Sequence, residues 1–199
     1  MIYLAHRINS VKELCLVPQK FGVEIDIRTF ANQLVLAHDP YEEGELLDSF
    51  LVLYRHRFLI LNIKCEGIEF KVIELLKKYS IENYFFLDSS FPMIVKMVNK
   101  GISNIAIRFS EYESIQTLKH FKDKIEWVWV DCFSKFPLNK TNVQMIQNWG
   151  YKICIVSPDL VGRPDDIDTY VKKMIDLKLS ATAICTKLNN IAKWQDFYQ

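Results

Sequence analysis

The sequence predicts an α/β fold, a small single-domain (β/α)8 barrel with short loops spanning residues 1–199. Three observations predict it. Short apolar runs recur along the whole chain, alternating with helical patterns of about a dozen residues. No glycine-rich phosphate loop follows any of the runs, which weakens the alternative of an open, doubly wound sheet. Strand count, eight units at near-regular spacing, favours closure into a barrel.

The strand candidates follow in order. Residues 2–7 (IYLAHR) open the chain. Residues 22–28 (GVEIDIR) alternate Val23, Ile25 and Ile27 with Glu24, Asp26 and Arg28, the period of a strand. Residues 33–39 (QLVLAHD) pair with them through a turn at "ANQ". Further runs are 58–66 (FLILNIKCE), 84–90 (YFFLDSS), 104–110 (NIAIRFS), 127–133 (WVWVDCF), 151–159 (YKICIVSPD) and 181–187 (ATAICTK). Helices fit between them. "SVKE" at 10–13 has the form of a capping box. Residues 68–80 place Ile68, Val72, Leu75 and Leu76 on one face. Residues 91–101 close on Gly101, a helix-ending glycine. Residues 112–124, 139–150, 165–178 and 190–198 complete the set.

Composition narrows the class. Half of the 199 residues are hydrophobic and a quarter charged, as in a soluble globular domain. A net charge of +1 gives no global field for nucleic acid or an anionic membrane, so any electrostatic recognition is local. Five cysteines without CxxC spacing, mostly inside apolar runs, read as reduced, buried thiols in a cytoplasmic protein, in preference to a zinc site or a nucleophile. The chain starts directly on a strand, with no signal-peptide pattern and no run long enough to span a bilayer. A membrane-derived substrate stays open.

The strand ends carry His6 and Arg7, Glu24 and Asp26, His38 and Asp39, then Asn62, Lys64 and Glu66. Asp88, Arg108, Asp131, Ser157 with Asp159, and Lys187 follow. Glu24 and Asp26 are two apart and point to the same side of their strand. Two carboxylates buried together repel unless a cation compensates them. Magnesium or calcium on oxygen ligands would do so. Salt bridges to Arg7, Arg28 or Lys64 would do so equally well, and the spacing does not choose. Arg108 and Lys187 suit a second anionic group on a substrate, or salt bridges to Asp88 or Asp131. His56 and His120 read as solvated, Trp127 and Trp129 as core in preference to the mouth, and Ser157 as a poor nucleophile.

"AHR" at 5–7, "GVEIDIR" and "LVLAHDP" at 34–40 resemble the motifs of the glycerophosphodiester phosphodiesterase family. That pattern has a His-Arg pair ending the first strand, Glu-x-Asp on the second, a His-Asp shortly after and Glu-x-Lys on the third. The match covers residues 3–66, and more distantly the chain is similar to the phosphatidylinositol-specific phospholipases C. The resemblance implies a barrel that cleaves a phosphodiester with Mg2+ or Ca2+. His6 and His38 would be the acid–base pair, Glu24 and Asp26 metal ligands, and Arg7 and Lys64 the phosphate-holding cations. Two histidines can deprotonate the attacking oxygen and protonate the leaving one near neutral pH.

The chain departs from the pattern in places. Ile8 replaces the glycine after the His-Arg pair, and the Pro-Glu-Asn-Thr stretch is missing, with Asn9 its candidate substitute on the phosphate. Asn62 stands where a third metal carboxylate is expected. Glu66, Asn62 itself, through its amide oxygen, or Asp88 could complete the ligands. The expected partner is a small, hydrophilic phosphodiester, with no nucleic acid and no stable membrane insertion. The alternatives are a barrel that binds a phosphate ligand without turnover, and a lyase releasing a cyclic phosphate.

Overall fold

The computed structural model describes residues 1–197. Among the described residues are ten strands and eight α-helices, which alternate except where β2, β3 and β4 follow one another. β1 (Ile2–Ala5) leads through α1 (Val11–Leu14) to β2 (Gly22–Phe30), β3 (Gln33–Leu36), β4 (Glu45–Leu46) and α2 (Leu47–Leu53). Then come β5 (Leu59–Ile63), α3 (Glu69–Lys78), β6 (Tyr84–Leu87), α4 (Phe91–Val98), β7 (Ala106–Phe109) and α5 (Ile115–Phe121). β8 (Trp127–Val130), α6 (Lys140–Asn148), β9 (Lys152–Val156), α7 (Ile167–Asp176), β10 (Ala183–Thr186) and α8 (Ile191–Asp196) finish it. The last predicted helix reached Tyr198, which lies outside the described residues.

Parallel pairing runs β1–β2–β5–β6 on one side and β1–β10–β9–β8–β7 on the other. A single parallel bridge, Phe86 to Ile105, joins the two arms between β6 and β7. Eight strands thus follow one another round a ring, the predicted barrel. β3 and β4 stand outside it as an antiparallel extension of β2. The turn at Ala31 and Asn32 has φ of 46° and 64°, the paired left-handed geometry of a two-residue hairpin.

The helix over Leu47–Leu53 was not anticipated from sequence. No side chain caps its start at Leu46. Its run LDSFLVL is too short and too apolar to show a period, and burial of Leu47, Phe50 and Leu51 holds it in place. At 10–13 the capping serine is confirmed, with Ser10 Oγ accepting from the Glu13 amide. Glu13 reaches one residue further back than a standard box, to the Asn9 N–H at 2.9 Å.

Apolar packing closes the N-terminal end of the barrel. Phe58, Phe85 and Trp127 meet with ring centroids 4.8–5.8 Å apart, so Trp127 is core, as expected. No helix among the described residues is long and apolar enough to cross a membrane. The five cysteines form no disulfide; Cys132, Cys154 and Cys185 are buried, whereas Cys15 is exposed.

Candidate active site

Register sets the level of each polar residue. Leu4 lies beside Gly22, which brings His6, just past β1, alongside Glu24. Asp26 lies beside Asn62 of β5. Both acids of β2 are fully buried inside the ring. Gly22 below them allows the close approach. A Cβ there would sit 2.6 Å from the Phe58 carbonyl oxygen and 2.8 Å from Leu4 Cδ2.

Glu24 is held by both oxygens. Asn62 Nδ2 donates to Oε1 at 2.8 Å, and the Arg7 backbone N–H donates to Oε2 at 2.7 Å. Arg7 has a φ of 56°, a left-handed turn that a non-glycine residue seldom takes, and here its N–H reaches the carboxylate. Burial first, then the Asp26 charge, push the Glu24 carboxyl up to about 7, against the two hydrogen bonds. His6 Nε2 lies 3.7 Å from Glu24 Oε2. Burial, with the neighbouring Arg7 charge, lowers the His6 imidazole to about 4, so the ring is neutral at pH 7.

Asp26 is clamped by Asn9. The Asn9 amide donates to Asp26 Oδ2 at 2.9 Å and accepts from the Asp26 N–H at 2.8 Å. Asn9, a candidate for the phosphate by sequence, thus has its amide committed to a carboxylate. Its only sequence signal was its place two residues beyond the His-Arg pair. Arg7 Nε stands 3.7 Å from Asp26 Oδ2, and Lys64 Nζ stands 3.4 Å from Oδ1. Lys64 also lies 3.9 Å from Asp88. The salt-bridge partners anticipated for Asp26 are therefore present in Arg7 and Lys64. Arg28 instead donates to the His38 carbonyl at 2.9 Å.

The β2–β3 hairpin delivers His38. The Ala37 N–H bonds to the Asp26 carbonyl at 3.1 Å, and His38 is the next residue. Its Nδ1 bonds to Asp39 Oδ1 at 2.8 Å, which leaves Nε2 open. The His38 bond, helped by the Arg7 and Arg28 charges, lowers the Asp39 carboxyl. His6, Arg7, Lys187 and Leu160 line a cavity of about 350 Å³ at the mouth.

The remaining candidates sit elsewhere. Glu66 is exposed, its carboxylate accepting from Ser90 Oγ at 2.5 Å at the start of α4. Arg108 is paired with both Asp88 and Asp131, the salt-bridge alternative left open by the sequence. Asp159 accepts from Thr186 Oγ1, the Lys187 N–H and Asn190 Nδ2, and Ser157 accepts from Trp194 Nε1, so both are structural. Burial raises the Cys154 and Cys185 thiols, and the nearby Glu24 charge adds to it, which makes them unreactive.

Among the described residues no three His, Cys, Asp or Glu side chains gather as a metal site. The oxygens available here are two carboxylates and one amide. Asp26 Oδ1 and Asn62 Oδ1, on residues in register, are buried and lack a hydrogen-bond partner. These hard oxygens, with Lys64 Nζ 3.4 Å from Asp26 Oδ1 as its charge partner and a second carboxylate, Glu24, beside them, fit a magnesium or calcium ion.

No family model matches the chain, and no curated protein matches it. Solved structures do. A protein from Agrobacterium tumefaciens assigned as a glycerophosphoryl diester phosphodiesterase superposes with a TM-score of 0.70 at 13% identity, covering 100% of this chain and 98% of that one. A glycerophosphoryl diester phosphodiesterase from Parabacteroides distasonis gives 0.66 at 13% identity, over 96% of this chain and 85% of that one. A glycerophosphodiester phosphodiesterase from Agrobacterium tumefaciens gives 0.66 at 12% identity, over 96% and 99%. The chain therefore shares its fold with solved glycerophosphodiester phosphodiesterases, the family that residues 3–66 resemble.

Proposed function

We propose that this chain hydrolyses a small, hydrophilic phosphodiester with the help of Mg2+ or Ca2+. One observation carries the reading: the buried pair Glu24 and Asp26, with Asp26 Oδ1 and Asn62 Oδ1 free of hydrogen bonds, faces His6, Arg7 and Lys64 at the barrel mouth. The fold shared with the phosphodiesterases supports it.

Glu24, Asp26 and Asn62 would hold the ion. Bound there, it would polarise a phosphoryl oxygen and offset the charge that develops on it. Arg7 at the mouth and Lys187 across the cavity supply cations for the substrate's phosphate, and Lys64 balances Asp26 and Asp88 behind them. His6 is neutral and accepts the proton of the attacking water. His38, oriented by Asp39, protonates the leaving alkoxide through Nε2. The carboxylate of Asp39 stabilises the positive ring that this role requires. A mouth cavity of about 350 Å³ suits a compact alcohol, not a long acyl chain.

The test is a colorimetric diester assay with Mg2+ or Ca2+, repeated with chelator. Phosphorus NMR of the product separates hydrolysis from release of a cyclic phosphate. Asn62 in the place of a third acid favours a second reading, a barrel that binds phosphate without turnover. Absence of metal-dependent turnover on a broad diester panel, with phosphate still bound, would establish that second reading instead.

A further inference from the structure

The opposite face of the barrel holds a larger concavity than the mouth, a groove of about 590 Å³. Its walls are the turns that lead into β5 and β6, residues 54–56 and 78–83, with Val52 beside them. Arg55, His56 and Lys78 line it, and Glu82 is the one acid among the lining residues. Arg57 and Lys77 extend the positive charge along the same two turns. The Arg57 N–H bonds to the Gln19 and Phe21 carbonyls, which sets Lys20 beside it. Among the described residues Lys20, Arg55, Arg57 and Lys77 form no ion pair with an acid. The net charge of +1 conceals this concentration.

A solvated lysine-rich face is the plain alternative, but the groove differs from one in two ways. Its cations are held in place. Arg55 Nη1 donates to the Tyr54 carbonyl at 2.6 Å, which leaves the rest of the guanidinium uncommitted. Lys78 Nζ donates to Asp48 at 2.7 Å and lies 4.8 Å above the Tyr79 ring. The wall also contains polar atoms without partners. Tyr54 Oη and His56 Nδ1 are buried and unbonded, although Tyr54 is only 6% exposed and His56 Nε2 is fixed on the Val17 carbonyl at 2.8 Å. Unpartnered buried polar groups cost stability and call for a reason.

We infer that this groove is a binding site for a small organic polyphosphate, independent of the catalytic mouth. Arg55 in the groove, with the unpaired Lys20, Arg57 and Lys77 on the neighbouring segments and Lys78 sharing its charge with Asp48, suits a ligand with more than one negative charge. Val52, Ile81 and the Tyr79 ring offer apolar wall for its organic part. The volume lies within the roughly 300–1,000 Å³ usual for small-ligand sites. A concave cluster with a chain pI of 7.6 does not make the long basic stripe of a nucleic-acid footprint.

Isothermal titration of the full chain with ATP and with pyrophosphate, in about 0.15 M salt to screen weak surface attraction, tests this. ATP should bind more tightly than pyrophosphate. Arg55→Glu, and separately the double variant Arg55→Ala with Lys78→Met, should weaken ATP at least tenfold while leaving diester turnover unchanged. Arg7→Ala, altered at the opposite mouth, should leave ATP affinity as it was. Equal ATP affinity in the Arg55 variants, or its loss in Arg7→Ala, would overturn the inference. So would Arg55-dependent binding of duplex DNA or anionic vesicles in the absence of ATP binding, which would make the face a macromolecular contact.

Discussion

Replacing Asn9 by alanine should damage the protein far more than an ordinary loop substitution. The amide makes two bonds to Asp26, one to the buried carboxylate at 2.9 Å and one from its backbone N–H at 2.8 Å. Losing a hydrogen bond to a charged group costs about 1.5–3 kcal/mol, and orphaning a buried N–H costs about 1–3 kcal/mol more. Water can reach part of the space left, so about 3–5 kcal/mol is the working range, against a total stability of about 5–15 kcal/mol. For a domain of this size that is a fall in Tm of roughly 6–20 °C. Diester turnover should fall too, because Asp26 would lose its fixed orientation. Urea unfolding of wild type and Asn9→Ala at pH 7, followed by circular dichroism, measures the first effect, and kcat/KM the second. Asn9→Asp is the companion variant, since it keeps the size but places a third acid against Asp26. A loss below about 1 kcal/mol in Asn9→Ala would show that the clamp contributes no more than an exposed contact.

Four further outcomes are expected. His6→Ala and His38→Ala should each lower kcat by about 10²–10⁴-fold with little change in KM, measured on the same diester. Gly22→Ala should destabilise by about 1–3 kcal/mol or more, because its new methyl would press on the Phe58 carbonyl and Leu4, as thermal unfolding would record. Adding Mg2+ or Ca2+ should raise Tm in wild type, and Asp26→Asn should reduce that gain even where turnover is not followed. The Asp48 carboxyl is lowered by bonds from Lys78 and Tyr79, so its contribution is present above the ordinary carboxylate range and lost as pH falls through the lowered value. Wild type and Asp48→Asn should accordingly differ in stability at neutral pH and converge in acid.

The barrel was legible because its strands repeat a simple signal, apolar residues bounded by helices of clear period. The N-terminal half of the site was legible because the parity of Glu24 and Asp26 fixes their side of the strand and register does the rest. What could not be read was the choice among partners. Arg7, Arg28 and Lys64 are equal in sequence as cations for Asp26, but the hairpin carries Arg28 to the His38 carbonyl. Asn9 could be read as a phosphate ligand because nothing local shows that the chain beyond Arg7 folds inward over β2. Glu66 has the right parity for a ligand, yet the turn after β5 leaves it at the start of α4. The second helix escaped because packing, and no local signal, holds it.

The two halves of the ring divide the work electrostatically. On the later strands the charged ends satisfy one another: Arg108 joins Asp88 to Asp131, and Asp159 is filled by Thr186, Lys187 and Asn190. Of these groups only the Lys187 side chain, whose backbone N–H serves Asp159, is left at the mouth. On the first strands the balance is incomplete, with two buried acids, one neutral histidine, an Asn62 oxygen without a donor and an Asp26 oxygen that only the Lys64 ammonium, 3.4 Å away, approaches. An incompletely satisfied polar cluster destabilises a fold unless a ligand completes it. The family resemblance stops near residue 66, beyond which the charged strand ends pair with one another.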